Sequence, residues 1–437
     1  MLKSATSGSA WAWVRRFLFV MPLWPLGGAL GLALVAFQQI GAHWQATRRD
    51  ASTWGFGLLS VMAIGNAFLA AYPQEAGLGL ANFLPFFAVF LGLRLLITTP
   101  ARLRELAQLW LVSAVAVSLL GLGQMLVGWY TPASWERILG WTLQPGGNPP
   151  GRLASTFLYA NTCATFLGLA WILGLGLAIA AWREWQRDRR QWQPLLGIGL
   201  GLAAIAAALV LTSSRSAWAI AFLAVLAYAV YLRWHWLLGL AGLAIASVLW
   251  AAFGVPPSQQ WLQRLVPAYF WARLNDSLYA ERQIEFLRTT QWQFCWDLTR
   301  SRPLQGWGLR NFTPLYEAHA GVWLGHPHNL LLMLTAEFGL PATLLLFGLV
   351  GWPLTRVVRR LARSPRRDPL ALAPPARLVV LSYLLAFCGC ILFNFADVTI
   401  YELRNNLLGW LLLAALAGVS APERPNQTAL RGRSGQS

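Results

Sequence analysis

Two histidines, His326 and His328, flank Pro327 and are followed by Asn329 and a long apolar run. Imidazole is the one side chain whose unperturbed pKa lies near neutrality, so a histidine placed here is suited to move a proton. The chain has only 5 histidines, and two of them stand where a polar loop meets a membrane helix. A proline beside a polar residue is also an ordinary helix start, at which a histidine can simply cap the helix or anchor it. Two arginines offer a complementary chemistry. Arg215 follows Thr212-Ser213-Ser214 at the head of an apolar helix. Ser213 or Ser214 can cap that helix, and its unpaired first-turn N–H groups favour an anion. Arg288 lies in the long loop four residues before Trp292, near enough to pack on its ring. A helix N-terminus with an arginine fork suits phosphate, and two arginines suit a diphosphate. Each also has a plainer reading. Arg215 can be an arginine snorkelling to the interface, and Arg288 can sit on a solvated helix face whose charge five acidic residues of the loop balance.

If His328 opens the helix that follows, the dipole there disfavours the imidazolium and leaves the ring ready to accept a proton. Helical spacing then puts Leu332, Thr335 and Gly339 on the face of His328 and Glu337 on the opposite one, so Glu337 is expected to serve structure. Other chemistries lack their signatures. The sequence holds no nucleotide-binding glycine loop, no HExxH, no GxSxG and no paired DxD carboxylates. The loop acids Asp276, Glu281, Glu285, Asp297 and Glu317 have no metal-cage spacing, and the four cysteines suggest neither a disulfide framework nor a zinc site.

The elements that position these groups are membrane helices. At 437 residues, 57% hydrophobic and 11% charged, the chain is too apolar for a water-soluble globule. Its 25 tryptophans and 10 tyrosines suit many membrane–water boundaries. A bilayer core of about 30 Å takes ~20 helical residues. Apolar runs of that order fall near 17–41, 52–71, 77–97, 104–129, 155–181, 194–211, 216–232, 235–254, 328–352, 377–395 and 400–418. The net charge of +18 is of the size that nucleic-acid partners attract, yet most basic residues sit between these runs. The connections 43–51, 92–104, 182–193, 233–236 and 353–377, with the tail, carry about twenty arginines and the alternate short ones only a handful, which predicts that the first set is cytoplasmic.

Residues 255–327 then form one large loop on the outer face, together with 72–76, 130–154 and the 212–215 turn. An odd number of spans would leave Lys3, Arg15 and Arg16 outside, against that rule. Residues 11–41 are therefore expected to hold a hairpin, an extra short span or an interfacial helix. No small-residue cleavage site follows the first apolar run, so no removable signal peptide is expected. Within the loop, apolar and charged residues interleave from Ser277 to Arg300, which predicts an amphipathic helix lying on the bilayer surface. Arg302-Pro303 should stop it, and Gly306-Trp307-Gly308 should turn the chain.

Four pieces in order carry a resemblance: Thr212-Ser213-Ser214-Arg215, Arg288-x-x-x-Trp292, Pro303-Leu304-x-Gly306-x-Gly308, and His328-Asn329-x-x-Leu332 continuing to Glu337-x-Gly339-Leu340-Pro341. Over about residues 150–350 the chain resembles the O-antigen ligase and polymerase superfamily, membrane glycosyltransferases that take glycans from an undecaprenyl diphosphate carrier. The resemblance implies an all-α, GT-C-like polytopic membrane protein of about 11–12 transmembrane helices with one large periplasmic loop containing helices. Hydropathy and charge divide the chain into N-terminal membrane helices (1–254), the loop (255–327), C-terminal membrane helices (328–420) and a cytoplasmic tail (421–437) expected to be disordered.

The same resemblance implies a bacterial inner-membrane protein with its active site facing the periplasm. It makes His328 the catalytic base and Arg215 and Arg288 the diphosphate ligands, with His326, Asn329, Trp292 and Arg310 to hold the acceptor or support the site. Phe157-Leu158-Tyr159-Ala160-Asn161 loosely matches a Pro-Asn signature of relatives, but Ala160 replaces the proline and Asn161 is left without a role. The implied donor is a glycan on undecaprenyl diphosphate, and the implied acceptor is lipid A-core or another glycan. Membrane lipids are the remaining partners, and no cofactor, metal or nucleic acid is expected. A polymerase with a carrier-linked acceptor is the near alternative. A bicarbonate-type anion transporter, once proposed for some relatives, is the distant one. Transport fits less well, because the ionisable residues cluster at one surface rather than at the bilayer midplane.

Overall fold

A computed structural model describes residues 2–272, 284–363 and 372–421, and every regular element among them is a helix. The chain opens with α1 (Leu2–Val20), α2 (Pro25–Ala42), the short α3 (Trp44–Thr47), α4 (Ala51–Leu69), α5 (Pro73–Leu80), α6 (Leu84–Leu93) and α7 (Pro100–Leu126). It continues through the short α8 (Ser134–Leu139) to α9 (Ala160–Arg187), α10 (Trp192–Leu211), α11 (Arg215–Leu232) and α12 (His235–Phe253). The large loop contains α13 (Ser258–Leu265), α14 (Ala268–Trp271), α15 (Arg288–Ser301) and α16 (Phe312–Ala320). Then come α17 (Leu330–Phe338), α18 (Leu340–Ala362), α19 (Pro374–Asn394) and α20 (Leu403–Ser420). Eleven stretches are long and apolar enough to cross a bilayer, so the chain is an all-α multi-pass membrane protein.

Local chemistry sets the helix ends. Pro25, Pro73 and Pro100 begin α2, α5 and α7 with the fixed φ that suits a first helical residue, while Asp50 and Thr99 accept a first-turn N–H. α9 and α20 form the centre: 78% of the apolar window of each is buried, against 17% for the lipid-facing α12.

Three apolar runs depart from single uninterrupted spans. The run 17–41 is part of a hairpin, α1–α2, broken by Pro22 and Pro25. The Trp11 indole donates to Glu105 in α7 at 2.8 Å, and Arg15 lies 3.8 Å from the same carboxylate. The start of the hairpin is thereby at the arginine-rich end of the bundle. Its turn is at the other end, where the Pro22 carbonyl accepts from Arg404 at 3.3 Å. This removes the conflict over parity. The second departure is the run 77–97, whose helical part is displaced to Pro73–Leu93 and divided into α5 and α6, with Pro85 in the first turn of α6.

The third is the run 328–352, which divides at Gly339 (φ +80°) into α17 and α18, because Pro341 cannot continue a helix. That break meets the loop. The Leu340 N–H donates to the Pro303 carbonyl at 2.8 Å, and a Cβ on Gly339 would run into the Leu304 carbonyl oxygen. The turn at Gly306-Trp307-Gly308 is present, with positive φ at both glycines. A Cβ on Gly306 would strike the Glu337 carbonyl oxygen. Asn66 of α4 closes the clamp, donating to the carbonyls of Gln305 (2.6 Å) and Glu337 (2.9 Å) and accepting from the Leu309 N–H at 3.1 Å. The Glu337 carboxylate is buried and accepts the N–H groups of Arg310 and Phe312, both at 2.9 Å, a structural role.

The loop helix also differs from its expectation. Residues 277–283 lie outside the described residues, and α15 starts only at Arg288 and ends at Ser301, where Arg302-Pro303 was expected to stop it. It packs on α16 and α17. Cys295, Leu298, Phe312, Tyr316 and Ala336 form a small core of their own, and Thr299 bonds Thr335 at 3.1 Å. Enough apolar side chains face inward from three short helices to make this burial preferable to contact with lipid. The tail 422–437 and the acids Asp276 and Glu281 lie outside the described residues.

Candidate active site

The site end of the bundle is organised around Asp397, in the turn between α19 and α20, which is 7% exposed. The turn is tied on both sides. Asn394 accepts the Thr399 N–H at 3.0 Å, while Glu402 caps α20 and pairs with Arg404 at 2.6 Å. Arg404 is itself buried, stacked 3.6 Å over the Phe157 ring and donating to the Thr156 carbonyl at 2.8 Å. Asp397 is thus held by groups drawn from widely separated parts of the chain.

Both histidines of the motif reach this carboxylate. His328 Nδ1 lies 3.1 Å from Asp397 Oδ1, and His326 Nε2 lies 3.2 Å from the same oxygen. The Val398 N–H also donates to Oδ1 at 3.0 Å, and Asn161 Nδ2 donates to Oδ2 at 2.7 Å. The backbone N–H of His328 donates to His326 Nδ1 at 3.2 Å, so His326 is neutral with its proton on Nε2. Burial pushes the His326 pKa down to about 4, with His328 and Arg288 adding to the effect against Asp397. Burial alone would raise Asp397, but the bonds from His328 and Asn161 and the proximity of the imidazoles outweigh it and hold the carboxyl below its usual value. An ionised Asp397 fixes the His328 proton on Nδ1 and leaves Nε2 as a lone pair.

His328 does not open the helix. Asn329 is the N-cap of α17, its side chain accepting the Leu332 N–H at 3.2 Å, and His328 lies one residue earlier with φ +54°. Helical face arguments therefore do not apply to it. A positive φ at a residue with a side chain costs roughly 1–3 kcal/mol. Here the bonds to His326 and Asp397 hold the backbone in place, and strain of this kind clusters where a side chain must be aimed.

A second chain of bonds runs from Asp397 towards the Arg215 corner. Asn161 Oδ1 accepts from Arg152 Nη2 at 2.6 Å, and Arg152 Nε donates to the Thr212 carbonyl at 2.8 Å. Arg215 is the exposed first residue of α11. Ser214 occupies its N-cap position without a capping bond from its hydroxyl, contrary to the expected cap. Arg288 is exposed at the first position of α15 and close enough to His326 to disfavour its protonation. Trp292 serves the motif rather than Arg288, donating to the Pro327 carbonyl at 3.0 Å. Arg310 sits at the opposite flank, 3.3 Å from Glu75 and 5.4 Å over the Tyr401 ring, which stacks 6.4 Å from His326. Below the turn, an apolar cavity of about 130 Å³ opens between α17, α18, α19 and α20, with Leu330, Thr399 and Ile400 at its upper rim.

Sequence reasoning missed Asp397 and Arg152 and left Asn161 without a role. The alternation of spans carried a usable signal for Asp397, since the short joint between the last two helices must fall on the side of the 255–327 loop. For metal, the ligand atoms of His326, His328 and Asp397 lie within 4.8 Å of one another, by composition a set of two imidazoles and one carboxylate. Contacts within the protein already occupy these atoms, with three hydrogen bonds and the His326 imidazole on the carboxylate and a backbone N–H on His326 Nδ1.

Fold and site together define a polytopic membrane protein with a histidine–carboxylate centre at one end of its helical bundle and arginines around it. Residues 200–347 match the family model described as O-Antigen ligase, which supports the resemblance to the O-antigen ligase superfamily over that part of the chain. The matched stretch contains Arg215, Arg288, His326 and His328, whereas Arg152, Asn161 and Asp397 lie outside it. No curated protein matches the chain.

Proposed function

We propose that the protein transfers a glycan from undecaprenyl diphosphate to an acceptor hydroxyl at the outer face of the bacterial inner membrane, and that its acceptor is lipid A-core. The observation that carries this reading is the His328–Asp397 contact, which leaves His328 Nε2 as a base. In the proposed step, Nε2 takes the proton of the acceptor hydroxyl as its oxygen bonds to the anomeric carbon. The bond from that carbon to the diphosphate oxygen breaks, and the electron pair leaves with the diphosphate. General-base assistance of this kind is worth ~10²–10⁴-fold in rate.

Arg215 and Arg288 would bind the diphosphate and stabilise the charge that develops on it, taking the part of a metal ion. The apolar cavity under the Asp397 turn would receive the first part of the carrier's hydrocarbon tail. His326 and Arg310, each beside the Tyr401 ring, would help to hold the acceptor. The test is transfer by the purified protein from a defined carrier-linked glycan to lipid A-core or, in a parallel reaction, to a second carrier-linked repeat. Glycan on the core supports the ligase. Lengthening of the carrier-linked glycan alone would assign a polymerase, and saturable bicarbonate uptake into proteoliposomes that survives His328→Ala would overturn the enzyme reading.

A further inference from the structure

An open cavity of about 460 Å³ lies at the other end of the molecule, lined by α9, α10, α11 and α12 near the C-terminus of α9. Its inner wall is apolar, formed among others by Leu175, Ile179 and Val225, while Arg183 and Gln186 stand at the mouth beside Trp234. Arg183 is half-buried. Among the described residues it makes no ion pair and no hydrogen bond, and the neighbouring acids are committed elsewhere. Glu184 pairs with Arg104 at 2.9 Å, and Asp188 accepts from the Arg190 N–H at 3.0 Å. A half-buried guanidinium facing a cavity without a counter-charge calls for an anion. The apolar depth of the same cavity calls for hydrocarbon, and an amphipathic tryptophan at the mouth marks the level of lipid headgroups.

We infer that this cavity is a binding site for an anionic phospholipid of the leaflet at the arginine-rich end, with its phosphate on Arg183 and an acyl chain between α9 and α11. The site is independent of the glycan-transfer chemistry: α9 carries Asn161 at its first turn and Arg183 near its last, so nearly the whole helix separates the two. Basic pockets between membrane helices on the positively charged side are suited to such headgroups. A free phosphate would satisfy Arg183 but leave the apolar depth unfilled, and a neutral lipid would fill the depth but leave the charge unmatched.

The test is native mass spectrometry of the full-length protein in neutral detergent, titrated with phosphatidylglycerol, phosphatidylcholine or inorganic phosphate. The wild type should retain phosphatidylglycerol in preference to the other two. Arg183→Gln should weaken that retention about five-fold, the value of one basic contact near a membrane surface. Arg183→Lys should keep most of it, and Val225→Trp, which fills the cavity but keeps the charge, should lose it. Equal retention by wild type, Arg183→Gln and Val225→Trp would overturn the site. Equal binding of phosphatidylcholine would overturn the role of the anion, full competition by inorganic phosphate would overturn that of the lipid, and a dimer whose contact is abolished by Val225→Trp would give the cavity to a second copy of the chain.

Discussion

Asp397 accepts hydrogen bonds from His328, Asn161 and the Val398 N–H and lies 3.2 Å from His326 Nε2, and on the proposed reading this is what makes His328 a base although it lies outside any helix. Asp397→Asn places an amide N–H where an acceptor is needed and frees the His328 tautomer. Turnover should fall ~10²–10⁴-fold, with a much smaller change in the KM of the donor. Steady-state kinetics of glycan transfer check this. Asn161→Ala removes one charge-assisted bond of ~1.5–3 kcal/mol, so its turnover should fall roughly ten- to a hundred-fold. Wild-type turnover in either variant would remove the carboxylate from the mechanism. Among the proposed site residues, His328 and Arg215 were singled out because chemistry-bearing types stand next to apolar helix starts, and Arg288 through its spacing to Trp292. Asp397 was not, because a lone acid in a joint of a few residues has no pattern of its own. Its role comes from tertiary contact with residues 69 and 236 positions away.

The clamp between α4, the glycine turn and α17 fixes the C-terminal end of the helix that follows the histidines, and its strength is measurable. Asn66→Ala removes three hydrogen bonds and leaves the buried Leu309 N–H without its acceptor, at a cost of roughly 1–3 kcal/mol for that unsatisfied group. The melting temperature in detergent should drop, and an unchanged value would show that the clamp adds nothing to stability. Stability at this end should also depend on pH. His326 has a folded pKa of about 4 against 6.5 for the free side chain. Between those values the unfolded chain binds more protons, so stability is fully present above pH 6.5 and is lost as pH falls towards 4. His326→Gln, which keeps a donor and an acceptor without titrating, should flatten that decline, and a decline of equal slope in the variant would assign it to other groups. The sequence announced the glycine turn and the Arg302-Pro303 stop through residues with few conformational choices. It did not announce the split at Gly339, because the apolar run passes through it unbroken, nor the packing of α15 on α17, because amphipathic spacing is the same whether the apolar face meets lipid or protein.

For the whole molecule, charge and hydropathy gave eleven spans, and the structure has eleven candidates plus α1, which pairs with α2 as a hairpin. Composition could not decide the fate of residues 11–41, since the arginines argued against the parity of the spans. The contacts of Trp11 and Arg15 with Glu105 settle which end of the bundle they occupy. In intact cells, a membrane-impermeant thiol reagent should label a cysteine introduced at Ser134 and spare one introduced at Ser9 or Gln191. Labelling of Ser9→Cys together with Ser134→Cys would contradict the hairpin. The central claim, that His328 on Asp397 is the base of a glycan transfer in which arginines take the place of a metal, is tested most directly by one reaction. Purified wild type and His328→Ala, matched for melting temperature, are given carrier-linked glycan and lipid A-core in excess chelator. Full transfer by the wild type and loss of ~10²-fold or more in the variant is the expected result. Equal transfer by the two proteins, or a wild type that needs a divalent ion, would contradict the account.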